Sequence, residues 1–510
     1  MNKTDDLFQL INSMSKSEKG YFKKFSTVYA TEGTRNYIKL FDAIEKQKVY
    51  DENKILKLFN KEQFIKRLPV EKNNLLHLIL KCLKVYHSGK TMEQEVKELL
   101  EYVEILFDKH LYKLCWKKLK KVKKIASETE NFLYLLEIKT WENKLLHIEH
   151  KLEELKELIK TAPEEEEDIV RKYLNYRKYR WAHSENLLAY HQIGAIRNKE
   201  DGNNYQLIIK KGVLAEENKA LSVKAKYFFF ISHAFFHYVS YNYIESYRHL
   251  KQLVQLMDLP PILSSRKKIN DYIMCLHNLS LLCLRLKKFH EIQDLLNKMR
   301  TCLNNDKESR KLIFCFSANI ELLYYCNTGY FKKGIELAKE VEMFLDSNSN
   351  QIDETILFQL YRGLSELYHG NMDYSNALKW INVILNEKSE AANSQLYFET
   401  KIFNLIIHYE MNNTELLEYL VKSVYHFLYI RKRAYQFETH IINFLRRRVL
   451  GKNSGKELIL EFKQLKETLI TLSKDPFEKK ALDFFDYISW LESKIEKRPF
   501  ADVVREKAKF

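Results

Sequence analysis

The chain has 510 residues, a net charge of +16 and only 12 Gly and 6 Pro. So few turn-forming residues exclude an all-β fold and a doubly wound sheet with glycine-rich loops, because those folds need a turn residue about every ten positions. The 45% hydrophobic content excludes disorder over most of the chain, and we attribute the mild positive excess to solvated helix faces.

The cysteines and the first residues bear on the compartment. Seven cysteines occur without a C-x-x-C pair, which predicts reduced thiols packed in helices and no disulfide or zinc framework. Acidic residues precede any apolar run at the N-terminus, so we expect no secretory signal. The most apolar stretch, 227–243, is shorter than the roughly 20 residues of a membrane span. We therefore expect a soluble cytoplasmic protein without a membrane partner.

Short helical patterns separated by polar connections predict a small helical N-terminal domain in residues 1–90. Ser15 and Glu18 have the spacing of a capping box, which predicts a helix start. Pro69 precedes a second helical pattern, over 71–86, in which apolar residues recur every three to four positions.

A helix–turn–helix pattern repeats in residues 91–450 and is clearest over 354–386. A leucine stripe marks its first helix, a polar turn follows, and a second apolar stripe marks its second helix. The sequence Tyr361-x2-Leu364-Ser365-x2-Tyr368-x8-Ala377-x3-Ile381-x2-Ile384 resembles the tetratricopeptide repeat. Only Ile384 departs from the motif, because the family has a small residue there. Ala377 is small where the second helix would cross the first.

Weaker copies surround this unit. The position of Ala377 recurs as Ser246, Ile292, Gly334 and Leu417, at intervals of 40 to 46 residues. The resemblance implies an all-α fold, a right-handed α-solenoid of antiparallel helical pairs, because a lone pair cannot bury its apolar stripe. The best units are expected at 223–258, 270–300, 312–345, 354–386 and 396–426, and C-terminal capping helices at 451–510. The Lys-, Asn- and Ile-rich composition also resembles that of uncharacterised bacterial helical-repeat proteins.

The resemblance also implies a groove for a partner. First helices line the concave surface in the tetratricopeptide family, which places Gln359, Arg362, Glu366 and His369 in the groove of the best unit. Some members clamp a peptide carboxylate with Lys and Asn, and the matching positions here are His277, Leu281, Arg362 and Glu366. We therefore do not expect a carboxyl-terminal peptide as the partner.

His233 and His237 stand four residues apart, a spacing used by metal sites. The sequence shows no third ligand beside them, and no Glu follows His233 as an H-E-x-x-H motif requires. We interpret both histidines as packing residues and predict no metal site. The sequence lacks phosphate-binding loops and nucleophile motifs, so we predict neither a cofactor nor enzymatic activity.

These patterns favour a non-enzymatic scaffold or adaptor whose partner is another protein or peptide. In one alternative, residues 1–90 bind nucleic acid through Lys66, Arg67 and Lys72. The basic runs 117–124, 431–433 and 446–448 would support such binding.

In a second alternative, an unrecognised enzyme site lies in 164–215, the segment that fits the repeat worst. Pro163 followed by the acidic run 164–168 predicts a helix start in this segment, because early carboxylates complement the helix dipole.

Overall fold

The structure is a computed structural model. It describes residues 6–28, 34–87, 92–193, 202–203, 205, 212–259, 266–302, 307–386, 395–431, 436–450, 455–475, 478 and 484–509. All regular elements in these ranges are helices, so the predicted all-α class is confirmed. None of the helices formed by these residues is both long and apolar enough to cross a membrane.

The chain divides into two compact units, Met1–Ile125 and Ala126–Phe510. The division lies inside the helix Tyr112–Glu128. Residues 88–91, where the sequence predicts a boundary, lie outside the described residues.

The described residues of the first unit contain six complete helices and most of a seventh. They are α1 (Asp6–Ser13), α2 (Lys16–Val28), α3 (Thr34–Glu45), α4 (Glu52–Leu58), α5 (Leu68–Tyr86), α6 (Met92–Asp108) and α7 (Tyr112–Glu128), with a 3₁₀ helix at Gln63–Arg67. The capping box is confirmed, because the Ser15 backbone N–H donates to Glu18 at 2.7 Å and the Glu18 N–H donates to the Ser15 hydroxyl at 3.3 Å. Helix α5 contacts α1, α2 and α3, which buries Phe22 and Phe41 completely.

The second unit contains sixteen further helices in its described residues. They are α8 (Phe132–Ile148), α9 (Leu152–Ile193), α10 (Val223–Val239), α11 (Tyr243–Met257), α12 (Arg266–Arg285), α13 (Phe289–Thr301), α14 (Lys307–Thr328), α15 (Phe331–Asn348), α16 (Glu354–Gly370), α17 (Tyr374–Asn386), α18 (Gln395–Glu410), α19 (Thr414–Arg431), α20 (Gln436–Leu450), α21 (Lys456–Leu472), α22 (Tyr487–Glu496) and α23 (Phe500–Ala508), with 3₁₀ helices at Gly212–Ala215, Glu217–Lys219 and Ser349–Gln351.

Helices of the second unit pack mainly on their neighbours in sequence. Each helix from α8 to α22 contacts the helix that follows it in sequence, and α14 also contacts α12 and α16. The last helix, α23, departs from this order, because it returns to pack against α14. Apolar residues from successive helices consequently form long continuous clusters in which many leucines and isoleucines are fully buried.

Short turns between these helices use left-handed residues that are mostly not glycine. Among the described residues, nine helix-to-helix turns contain such a residue, with φ between 49° and 71°, and a tenth left-handed residue, Gly455, immediately precedes α21. In each of them the next N–H donates to the carbonyl five residues earlier, as in Asn242 to His237 at 2.9 Å, the pattern of a Schellman turn. Only Gly329 is a glycine among these nine residues. The chain therefore makes tight turns with few glycines by accepting a backbone conformation that other residues adopt at a cost.

Close crossings recur between positions twelve residues apart. The Ser365 hydroxyl on α16 donates to the Ala377 carbonyl on α17 at 3.2 Å, and the Ser246 hydroxyl on α11 donates to the Ala234 carbonyl on α10 at 2.8 Å. Ala377 is fully buried. A small residue lies on each side of both crossings, which lets the two backbones approach.

Helix α9 is 42 residues long and contains Pro163. The predicted helix start at Pro163 is therefore wrong, because α9 begins eleven residues earlier, at Leu152. Proline removes one hydrogen bond and disfavours a helix interior, but contacts of α9 with α8 and α10 outweigh this local preference.

Candidate functional site

The four residues predicted for the groove lie on α16. Asp353 caps the start of this helix, and its carboxylate accepts the Thr355 N–H at 2.9 Å. Gln359, Arg362, Glu366 and His369 follow at three- and four-residue intervals, which places them on one side of the helix.

Arg362 and Glu366 form an ion pair that contacts residues 484–509, which we name the C-terminal segment. The Arg362 Nε donates to Glu366 Oε1 at 2.6 Å, and an Nη of Arg362 donates to the Phe484 carbonyl at 2.9 Å. The guanidinium also lies 4.4 Å from the centre of the Phe484 ring. Burial raises the pKa of Glu366, and the Arg362 charge opposes that rise. The pair therefore fixes the segment near Phe484 to α16.

A cavity of about 310 Å³ lies beside this pair. Gln359, Arg362 and Glu366 line one part of its wall, and residues of the C-terminal segment, among them Phe484 and Phe500, line another. Three of the four predicted groove residues thus face a space that the chain's own C-terminal segment covers in part.

His369, the fourth predicted groove residue, lies in the core. It is 3% exposed, and its ring centre is 5.1 Å from Phe403, 5.2 Å from Phe485 and 5.7 Å from Phe500. Neither ring nitrogen has a hydrogen-bond partner among the described residues, and burial lowers the pKa of His369 to about 4. His369 therefore packs as a neutral ring between α16 and the C-terminal segment.

The residues of the nucleic-acid alternative differ in their surroundings. Lys72 donates to Glu52 at 2.9 Å and to the Tyr50 hydroxyl at 2.7 Å, so its charge is compensated inside the first unit. Lys66 and Arg67 are exposed at the end of the 3₁₀ helix Gln63–Arg67.

The basic runs lie on helices that also bury apolar residues. In 117–124, on α7, Leu119 and Val122 are buried, and Lys121 pairs with Glu95 at 2.5 Å. The guanidinium of Arg446 lies 5.8 Å from the Tyr425 ring centre. Residues 432 and 433 of the middle run lie outside the described residues.

One face of α9 exposes apolar side chains along almost its whole length. Its members, each between 39% and 63% exposed, are Leu152, Ile159, Val170, Leu174, Trp181 and Leu188. At 100° per residue these six positions fall within an arc of about 60°. The opposite side of α9 buries Tyr179 and Asn186. We name the six exposed side chains the α9 stripe.

The α9 stripe was missed by sequence reasoning. Apolar residues occur all round the second half of this helix, and the sequence alone does not show which of them a neighbouring helix covers. The seven-residue steps from Leu174 to Trp181 and from Trp181 to Leu188 were the available signal.

The structure brings a third histidine to the His233 and His237 pair. His249 lies on α11, and one ligand nitrogen of each ring lies within 4.8 Å of the other two. The ring centres of His233 and His249 are 4.9 Å apart, and those of His237 and His249 are 5.6 Å apart. Sequence reasoning missed His249 because it lies twelve residues beyond His237, across a turn.

Comparison with protein-family models found no match to this chain. Comparison with curated proteins found no match either. The proposals below therefore depend on the geometry of the described residues.

Proposed function

We propose that the chain is a non-enzymatic protein-interaction scaffold, and that it binds a second copy of itself through the α9 stripe. The proposal includes a right-handed solenoid of antiparallel helical pairs in residues 223–450, similar to tetratricopeptide repeats. The single observation that carries it is the exposed apolar face of α9.

Two features support the solenoid part of the proposal. Crossings recur between positions twelve residues apart, at Ala234 with Ser246 and at Ser365 with Ala377. Helix α14 contacts α12 and α16 as well as its neighbours in sequence. Both features are typical of repeats that stack on each other.

An exposed apolar line of this length favours a protein partner. The six side chains of the α9 stripe extend over 36 residues, which is about 54 Å of helix. Exposed acidic residues of the run 164–168 separate Ile159 from Val170. On either side of this run the exposed apolar side chains favour an interaction site, because their contact with water is unfavourable. Trp181 adds a large aromatic side chain, and the Arg177 guanidinium lies 5.7 Å from its ring centre. Tryptophan and arginine are common anchors of interfaces.

Five of the six stripe members are related by symmetry about Val170, which favours a second copy as the occupant, and Leu174 would face Glu166. In an antiparallel pair of α9 helices centred on Val170, Leu152 faces Leu188 and Ile159 faces Trp181. A twofold interface requires this property, since each contact must occur twice.

The charges of α9 fit the same antiparallel arrangement. The acidic run 164–168 would lie opposite residues 172–176, which begin with Lys172 and are followed by Arg177 and Lys178. Within one chain Lys172 also pairs with Asp168 at 2.7 Å. A parallel arrangement would place the acidic runs side by side, which is unfavourable. The stripe and the charges therefore predict one orientation.

Cysteine cross-linking tests the arrangement directly. One preparation carries Ile159→Cys and another carries Trp181→Cys, and the two are mixed and oxidised. We expect a disulfide-linked dimer on mixing and little from either variant alone, because position 159 faces position 181 in the partner. Val170→Cys alone is expected to cross-link with itself.

Sedimentation analysis over a range of protein concentrations provides the second measurement. We expect a wild-type dimer that Trp181→Asp weakens by at least about tenfold, since a buried charge opposes association. Ile244→Asp is the matched control, because Ile244 is 68% exposed on α11 outside the stripe. A monomeric wild-type chain would assign the stripe to a different protein and overturn self-association. If Ile159→Cys or Trp181→Cys cross-links by itself as efficiently as the mixture of the two does, the antiparallel arrangement would be overturned.

A further inference from the structure

The histidine cluster His233, His237 and His249 is held by two helices and the turn between them. His233 and His237 lie one turn apart on α10, and His249 lies on α11. The Ser246 hydroxyl, three residues before His249, donates to the carbonyl of Ala234. This crossing fixes the spacing of α10 and α11 next to the cluster.

Hydrogen bonding leaves lone pairs available in the cluster. The Nε2 of His233 lies 2.9 Å from the Leu214 carbonyl. A carbonyl only accepts, so Nε2 carries the proton and Nδ1 carries the lone pair of the neutral ring. His249 is 7% exposed, and its Nδ1 is buried without a hydrogen-bond partner among the described residues.

We propose that His233, His237 and His249 bind a divalent transition-metal ion of the zinc class and thereby link α10 to α11. Three neutral imidazoles are suitable ligands for such an ion, and they leave a fourth tetrahedral position for water. The Leu214 carbonyl accepts a hydrogen bond from His233. Such a bond orients the ring of a metal-ligating histidine. The proposal is independent of self-association through α9.

Burial and nearby charges act on all three rings. Burial lowers the pKa of all three histidines, that of His249 to about 3. The charged groups that act on them are Arg248, which lowers their pKa values, and Glu217 and Glu245, which raise those of His233 and His237 respectively.

Ring packing alone leaves part of the geometry unexplained. Stacking accounts for the parallel planes of His237 and His249, which are 4° apart. It does not supply a partner for the buried Nδ1 of His249, and buried polar atoms without partners are uncommon. A metal ion bound by the three rings supplies that partner.

Binding of zinc and cobalt to the full-length chain tests the proposal. After treatment with a chelator and its removal, the chain is titrated with Zn²⁺ by calorimetry and with Co²⁺ by visible absorption. We expect one ion per chain, a Co²⁺ spectrum typical of tetrahedral coordination, and a higher thermal unfolding midpoint with Zn²⁺, because an ion that binds only the folded state stabilises it.

Two ligand variants and one matched control locate the ion. His249→Gln and His237→Gln are each expected to weaken Zn²⁺ binding by at least about tenfold. His237 is less buried, so His237→Gln decides the outcome if His249→Gln does not fold. His183→Gln is the control and should bind as the wild type does, because His183 is half-buried and contacts Ser232 of α10 outside the cluster. A wild-type chain without bound zinc, or unchanged binding by His237→Gln, would overturn the site.

Discussion

Arg362 and Glu366 depend on each other because both are mostly withdrawn from water. Their side chains are 22% and 11% exposed, and Arg362 also holds the Phe484 carbonyl. Removing one member of a buried ion pair costs more than replacing both, because the remaining charge stays buried without its partner.

Arg362→Met is expected to lower the free energy of unfolding by about 2–3 kcal/mol, somewhat below the value for a fully buried pair. The double variant Arg362→Met/Glu366→Leu should lie within about 1 kcal/mol of the wild type, since apolar replacements of similar size are tolerated. Denaturant unfolding of the wild type, the two single variants and the double variant measures the coupling. Additive losses in the double variant would contradict this account.

The pH dependence of Arg362→Met has a definite sign. Burial already raises the pKa of Glu366 above its ordinary 4.5, and Arg362 opposes the rise. Without Arg362 the folded-state pKa rises further, so the folded chain binds a proton more readily than the unfolded chain between pH 4.5 and that raised value. The deficit of Arg362→Met relative to the wild type should therefore shrink as the pH falls from 7 towards 4.5, and a deficit that grows on acidification would contradict this assignment.

At the scale of the helices, the residues in the turns between them affect the stability of the fold. Met372 and Gly329 occupy the same left-handed position in two Schellman turns, with φ of 63° and 71°. Met372 is 64% exposed and gains little from packing. A Cβ at Gly329 would lie 2.6 Å from the Ala501 carbonyl oxygen and 2.7 Å from the Arg505 backbone nitrogen. The two positions thus share a backbone conformation and differ in their neighbours.

Met372→Gly and Gly329→Ala should change stability in opposite directions. Glycine relieves the left-handed strain at position 372, for an expected gain of about 0.5–1 kcal/mol after its larger unfolded-state entropy is subtracted. Alanine at position 329 adds strain and a collision with α23, for an expected loss of about 2 kcal/mol or more. Thermal and denaturant unfolding measure both changes. The account fails if both variants shift stability in the same direction.

The sequence predicted these elements better than their long-range contacts. Apolar periodicity was enough to predict the helices of 354–386 and the burial of Ala377, because both depend on residues close in sequence. Contacts of the C-terminal segment with α16 connect residues 122 positions apart, as between Arg362 and Phe484. No local pattern encodes such a separation. His249 was missed for a similar reason, since the fit of a third ring depends on how two helices cross.

At the scale of the whole molecule, the reactivity of the cysteine thiols measures how well the cores of the two compact units exclude water. Five of the seven cysteines are buried, Cys82, Cys115, Cys275, Cys283 and Cys315, and the other two, Cys302 and Cys326, are half-buried. Burial raises the pKa of Cys82 to about 11 and that of Cys283 to about 12. Only the thiolate reacts with a disulfide reagent, so a pKa of 11 leaves about one thiol in a thousand reactive at pH 8. These cysteines occur in both compact units and sample both cores.

The native chain should therefore react slowly with a thiol reagent at pH 8, and Cys302 and Cys326 should be no exception, because burial raises their pKa values too, that of Cys302 to about 11. All seven thiols should react rapidly in denaturing guanidinium, where an unburied cysteine recovers a pKa near 8.5. Between pH 8 and 10 the thiolate fraction of a group with a pKa of 11 rises about tenfold per pH unit, and the slow rate should rise with it. Mass spectrometry of labelled peptides assigns each phase. Rapid labelling of Cys275 or Cys283 in the native chain would show that the helices around them do not exclude water as the structure requires.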